Sequence, residues 1–209
     1  MGPRRWWEER ALPRLVDLVL ADEAAGRYRS RAMAGLSGVV VELGFGSGRN
    51  LPHYPAAVER VLAVEPADLA WERARERVRA FGRPVERVSR DAADLPLPDA
   101  SVDAVVTTWT LCTVPEVEAA LSEARRVLRP GGELRFVEHA LAPDAWVRRT
   151  QRVAQPVWGV FAGGCHLERD LPALIAAAGF DVEVTDARYV TGRPLRAWGW
   201  FVHGTARPA

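Results

Sequence analysis

Apolar and polar positions along the chain follow two regimes. Short apolar runs alternate with longer stretches in which apolar residues recur every three or four positions. The runs Val39-Val40-Val41-Glu42-Leu43, Val61-Leu62-Ala63-Val64, Val85–Val88, Val102–Thr108 and Glu133–Glu138 predict buried strands, the last ending at His139. Between them, Trp71, Ala74, Val78 and Phe81 form one apolar face within Asp68–Phe81. Val117, Ala120, Leu121, Ala124, Val127 and Leu128 form a second, opened by Pro115 and stopped by Leu128-Arg129-Pro130-Gly131-Gly132. Strands alternating with helices predict an α/β domain with a mostly parallel sheet and helices on both faces. Asp144–Val160 reads as a further helix broken by Gly163-Gly164, and Leu171, Leu174, Ile175 and Ala178 mark another, capped by Gly179. Phe180–Thr185 and Trp198–Thr205 read as the last two strands. The first 35 residues read as helical, with Pro13 interrupting them. They are expected to pack on the core or to cover a ligand site as a lid.

The first strand runs straight into Gly44, Gly46 and Gly48, where a tight turn must let a ligand approach the backbone. A dinucleotide fingerprint would place a glycine at position 49, and Arg49 there disfavours NAD. The second strand ends in Glu65, about 20 residues beyond the first glycine, the position from which a carboxylate reads ribose hydroxyls. At the end of the third strand, Asp91 suits an exocyclic adenine amine and the Ala92 amide a ring nitrogen; the bland alternative is a turn shaped by Asp91 and Asp94. His53 and Tyr54 follow the glycine loop directly and are candidates for the acceptor pocket, as are Trp109 and Leu111 beyond the fourth strand.

At 209 residues the chain suits one domain, with 1–35 as the amino-terminal helical part and 36–209 as the core. Charge is nearly balanced, 28 basic against 27 acidic residues, which excludes an obligatory nucleic-acid partner. Lysine is absent, which removes Schiff-base chemistry. Two cysteines, no signal peptide and no apolar run of membrane-spanning length point to a reducing cytoplasmic setting without stable membrane insertion. Cys165 and His166 are adjacent and no second pair completes a zinc site, so no metal is expected.

The sequence E-x-G-x-G-x-G at Glu42–Gly48, followed by Glu65, resembles the first motifs of class I S-adenosylmethionine (SAM) dependent methyltransferases, as does the L-R-P-G-G turn. Asp91–Pro98 resembles their quinone-biosynthesis branch. The set Leu111-Cys112-Thr113, Glu138-His139, Gln155-Pro156-Val157-Trp158, Phe161 and Gly163-Gly164-Cys165-His166-Leu167 is similar to the methyltransferase-like 7 group, the alkyl thiol methyltransferases, and its bacterial relatives. The resemblance runs from about residue 24 to the end. It departs at Phe45, where a cysteine is common, and in lacking the amino-terminal membrane anchor of the animal proteins.

The resemblance implies a Rossmann-like seven-stranded sheet whose last two strands form an antiparallel edge pair. It also implies SAM as cofactor, S-adenosylhomocysteine as product, and Glu42, Gly44, Gly46, Gly48, Asn50, Glu65, Pro66, Asp91, Ala92 and Thr108 as the residues that hold them. The acceptor is expected to be a small hydrophobic molecule, a thiol first, in a pocket of His53, Tyr54, Trp109, Leu111, Trp146, Trp158, Phe161, Cys165 and His166. A quinone-like or secondary-metabolite O- or C-nucleophile and a non-catalytic SAM-binding module are the alternatives. His139, at the end of a strand, is the first candidate for a general base, ahead of His166 and His53.

Overall fold

The computed structural model describes residues 23–209. Helix α1 (Glu23–Met33) leads into β1 (Gly38–Leu43), β2 (Val58–Val64), α2 (Asp68–Phe81), β3 (Val85–Ser89), β4 (Val102–Thr108), α3 (Val117–Val127) and β5 (Leu128–His139). The chain closes with α4 (Ala145–Phe161), α5 (Leu171–Ala177), β6 (Phe180–Tyr189) and β7 (Trp200–Pro208). One seven-stranded sheet results, in the order β3-β2-β1-β4-β5-β7-β6. The first five strands are parallel, and β7 lies antiparallel between β5 and β6.

Side-chain alternation along the strands builds a core on each face of the sheet. Val41, Leu43, Leu62, Val64 and Val105 join Leu121 of α3 and Ile175 of α5 on one side. Val40, Val61, Ala63, Ala104 and Val106 join Ala32 and Met33 of α1 and Ala74 of α2 on the other. The central strands are buried on both faces, which is why they read as unbroken apolar runs.

Several boundaries differ from the sequence reading, each where pairing overrides the local pattern. Strand β2 starts at Val58, because Gly38 pairs with it there. Leu128 pairs with Val102 and the next pair is Glu133 with Ala104, so Arg129–Gly132 is an excursion within β5 rather than a turn before it. Strand β6 continues to Tyr189, paired with Trp200, and β7 begins only at Trp200, because Leu195–Trp198 forms a 3-10 turn. The helical reading of residues 1–22 lies outside the described residues; α1 itself is seated in the core through Tyr28, Ala32 and Met33. No described helix is long and apolar enough to cross a membrane.

Candidate functional site

Strands β1 and β4 are neighbours whose connections leave in opposite directions, and such a switch point opens a crevice at the carboxyl ends of the strands. A cavity of about 940 Å³ lies there. It is lined by Glu42, Gly44, Gly46 and Asn50 from the β1 end, by Glu65 and Pro66 from β2, by Asp91 and Ala92 from β3, and by Thr108 and Trp109 from β4. All the cofactor-binding residues expected from sequence therefore line one cavity except Gly48. Gly48 instead packs beneath the loop, where an added Cβ would come within 3.2–3.3 Å of Leu51, Ala74 and Phe45.

The loop after β1 turns at Gly44 with φ +70, and a Cβ there would lie 2.0 Å from Thr110 Oγ1. At Gly46 a Cβ would meet nothing nearer than 3.9 Å, so its backbone faces open space on the cavity side. Glu65 holds this loop in place: Gly46 N–H donates to its Oε2 at 2.6 Å and Ala67 N–H to its Oε1 at 2.8 Å. Burial pushes the Glu65 pKa up, and the two backbone donors oppose that. Arg87 donates to the Glu65 carbonyl, Nε at 2.8 Å, and so fixes the end of β2.

Glu42 lies beneath the loop, fully buried. It accepts from Asn50 Nδ2 at 2.9 Å and from the Tyr54 hydroxyl at 2.7 Å. Asn50 Nδ2 also donates to Thr108 Oγ1 at 3.1 Å, tying β1 to β4. Burial raises the Glu42 pKa from 4.5 to about 7 against the pull of both donors. The Asn50 Oδ1 atom is buried and has no hydrogen-bond partner. An acceptor left unpaired beside a buried carboxylate, on the wall of a cavity, suits a cationic donor.

Trp109 carries the strain of the site. Its φ is +53, rare for a bulky residue, at the point where β4 ends on the cavity. Its N–H donates to Val137 O at 2.7 Å, and its ring is held between the Arg29 guanidinium at 4.7 Å and Phe201 at 5.9 Å. Arg29 and Arg49 line the cavity; Arg49 stood out in the sequence only as a departure from the dinucleotide pattern, and Arg29 not at all. Glu138 did not stand out as an anchor either. Fully buried, its Oε1 accepts from Thr107 Oγ1 and from the N–H groups of Thr110 and Leu111 at 2.7, 2.9 and 3.0 Å, and so shapes the loop after β4.

The expected acceptor residues are dispersed. Trp109 and His166 line the cavity. The His166 pKa is lowered by burial and then by Arg169. Tyr54 is buried under the loop as a partner of Glu42, and Leu111 is a fully buried core residue. His53 accepts or donates at Nδ1 to Ser30 Oγ at 2.8 Å, away from the cavity wall. Trp146 and Phe161 are 45% and 59% exposed, and Trp146 lies under the Arg193 guanidinium at 5.0 Å. Trp158 packs against the core beside Trp198, at 6.2 Å between ring centroids. Cys165 is buried behind the wall.

His139 is also behind it. Its Nε2 lies 2.7 Å from the Trp198 carbonyl and its Nδ1 3.6 Å from Cys165 Sγ, so neither ring nitrogen is presented to a substrate in the cavity. The wall beyond β4 is formed instead by Thr113, Val114 and Pro115, and by Pro156, Gly159, Val160 and Ala162 of α4 and its end.

Residues 41–136 match the family model of a methyltransferase domain. Those residues form a methyltransferase domain, and the curated relatives and the solved structure that the chain resembles are methyltransferases. Among curated relatives it is 37% identical over 148 residues to the human thiol S-methyltransferase TMT1B, covering 67% of this chain and 59% of that protein. It is 36% identical over 155 residues to human thiol S-methyltransferase TMT1A, covering 70% of this chain and 62% of that one. Less than two thirds of either relative is therefore spanned. The fold is that of a SAM-dependent methyltransferase of known structure from Thermotoga maritima, with a TM-score of 0.68 at 24% identity, over 97% of this chain and 96% of the other.

The cavity fits SAM, the methyl donor on which the solved neighbour depends. The unpaired Asn50 Oδ1 beside Glu42 suits an ammonium, and Gly46 leaves backbone bare against the cavity. Glu65 keeps acceptor lone pairs beyond its two backbone donors, which suits ribose hydroxyls.

Proposed function

We propose that this chain methylates a small hydrophobic thiol, in the cytoplasm, with SAM as the donor. The observation that carries this reading is the asymmetry of the cavity. Glu42, Arg49, Glu65, Arg90 and Asp91 belong to the ends of β1, β2 and β3, whereas the wall from β4 and α4 offers Val114, Pro115, Pro156, Gly159, Val160 and Ala162. Charged groups gather where a nucleoside and an amino-acid moiety bind, and the acceptor half is mostly apolar, with Arg29 over the Trp109 ring and His166 as its charged or titratable members. Thiol S-methyltransferases among the relatives support the choice of sulfur.

The bound cofactor supplies an activated methyl group. Glu42 and Asn50 hold its amino-acid end, Glu65 its ribose, and Asp91 with the Ala92 amide its adenine. Trp109 and the α4 wall keep an acceptor sulfur in line and keep water out, which is most of what such a displacement needs. A free thiol has a pKa of about 8.5, so a useful thiolate fraction exists near neutrality without a dedicated base.

Incubation with methyl-labelled SAM and a panel of small thiols, phenols and quinols tests the reading. The labelled methyl thioether is expected. Label on phenols or quinols alone would replace sulfur with oxygen or carbon, and no product from any acceptor despite SAM binding would make the chain a non-catalytic SAM-binding module.

The same reading assigns acceptor size to α4. A Cβ on Gly159 would come 3.3 Å from Gln155 Nε2, which must give by a few tenths of an ångström, and a larger side chain there narrows the cavity that Gly159 lines. Gly159→Val is expected to raise KM for bulky thiols about tenfold, one or two methyl groups' worth of lost pocket. SAM affinity and KM for the smallest thiols should stay within twofold; a parallel loss of SAM binding would place Gly159 on the cofactor side.

A further inference from the structure

Three segments distant in sequence bring Cys112, His139 and Cys165 together: the loop after β4, the end of β5 and the loop between α4 and α5. One ligand atom from each lies within 4.8 Å of the other two. Both cysteines are free and buried, and His139 is half-buried. The cluster lies immediately behind the cavity, whose wall includes the flanking residues Thr113, Gly164 and His166.

We propose that Cys112, His139 and Cys165 form a binding site for Zn2+, a Cys2His set with its fourth position left to water, which clamps the loops of the acceptor wall together.

The geometry matches the ion. Zn–S bonds of about 2.3 Å and Zn–N bonds of about 2.0–2.1 Å in a tetrahedron put sulfur and nitrogen about 3.5 Å apart. The observed separation of Cys165 Sγ from His139 Nδ1 is 3.6 Å. The histidine is oriented as a ligand would be. Its Nε2 lies 2.7 Å from the Trp198 carbonyl, an acceptor, so Nε2 carries the proton and Nδ1 presents its lone pair to the sulfur. Metal-bound histidines regularly donate their other ring N–H to a backbone carbonyl in this way. Two thiolates and a neutral imidazole around a dication carry no net charge, which a buried site tolerates.

The loops that carry the sulfurs are fastened before any ion arrives. His166 N–H donates to Cys112 O at 2.7 Å. Gln155 reaches both sides of Cys165–Leu167, donating to Cys165 O at 3.0 Å and accepting from Leu167 N–H at 2.7 Å. Cys112 N–H donates to Glu138 Oε2 at 3.3 Å, and Arg169 donates to Val114 O at 2.7 Å. A site held by second contacts of this kind costs little to order when the metal binds. Sequence spacing could not show it, since a Cys-x-x-Cys pair is absent and each ligand comes from a different element.

The test is Co2+ substitution in the full-length, reduced chain, with Zn2+ competition. A thiolate-to-cobalt charge-transfer band and the visible bands of tetrahedral Co2+ are expected at one ion per chain, displaced by Zn2+. Because loss of a single outer contact already costs about 10–100-fold in metal affinity, C112S, C165S and H139A should each lose about 100-fold or more. H166A, beside the cluster but outside it, should keep the band. Zn2+ should raise the melting temperature of the parent chain and leave that of C165S unmoved, a readout independent of methyl transfer. Absence of the charge-transfer band from reduced parent protein, or its persistence in folded C112S or C165S, would overturn the site.

Discussion

Replacing Glu65 with alanine is expected to weaken SAM binding by about 3 kcal/mol, a rise in Kd on the order of a hundredfold. Two losses combine. The carboxylate would no longer offer charge-assisted acceptors to the ribose hydroxyls, and the N–H groups of Gly46 and Ala67 would lose the anchors that hold the loop at 2.6 and 2.8 Å. Glu65→Gln is not a rescue. Each Glu65 oxygen already accepts from a backbone donor, so the amide of a glutamine must point its NH2 at the N–H of Gly46 or of Ala67. It should therefore bind SAM at least about tenfold more weakly than the parent. Calorimetric titration of both variants measures this, and an unchanged Kd in the alanine variant would take the ribose away from Glu65.

This residue also shows why half of the site could be read without coordinates. Glu65, Gly44, Gly46 and Asp91 sit at or just past strand ends, and a strand's end is announced locally, by an apolar run giving way to glycine or acid. Parallel strands in a doubly wound sheet all deliver their ends to one crevice, so local signals sufficed to assemble the cofactor side. The acceptor side obeys no such rule. Trp146 and Phe161 are large aromatics on α4, yet they stand outside the cavity, whose rim is lined by the smaller Pro156, Gly159 and Val160 of the same helix. Which face turns inward is decided by Gln151 and Gln155. Gln151 bonds the backbone of Ala140, Ala142 and Ala197, and Gln155 that of Cys165 and Leu167. Those partners are tertiary and leave no periodic trace. Arg29 is hidden for the same reason: a buried arginine in a helix rich in exposed ones is marked out only by where Trp109 lies. The place of His139 at the end of β5 suggests a catalytic role, but antiparallel β7 and the 3-10 turn before it put the Trp198 carbonyl on its ring instead.

A pH-dependent stability of the ligand-free chain is the second large effect expected, and Glu42 carries it. With a pKa raised from 4.5 to about 7, chiefly by burial, the folded chain keeps this proton in a range where the unfolded chain has released it. Unfolding free energy therefore falls as pH rises from about 4.5 through 7, by about 3 kcal/mol from this group, and the loss is complete above that window. Glu42→Gln removes the charge while keeping the contacts, because its oxygen can accept from Asn50 Nδ2 and its amide can donate to a turned Tyr54 hydroxyl. The variant should lose that part of the pH slope and melt about 5–10 °C above the parent at pH 8. Cofactor binding should move the other way. A cation placed beside the unpaired Asn50 Oδ1 favours the ionised carboxylate, so SAM affinity of the parent should rise between about pH 6 and 7.5, while Glu42→Gln should bind SAM about tenfold more weakly and without that rise. Melting curves and SAM titrations across this range separate the two effects. A variant that melts below the parent at pH 8, or a parent whose SAM affinity ignores pH, would mean that Glu42 is not the group that exchanges folding stability for cofactor affinity.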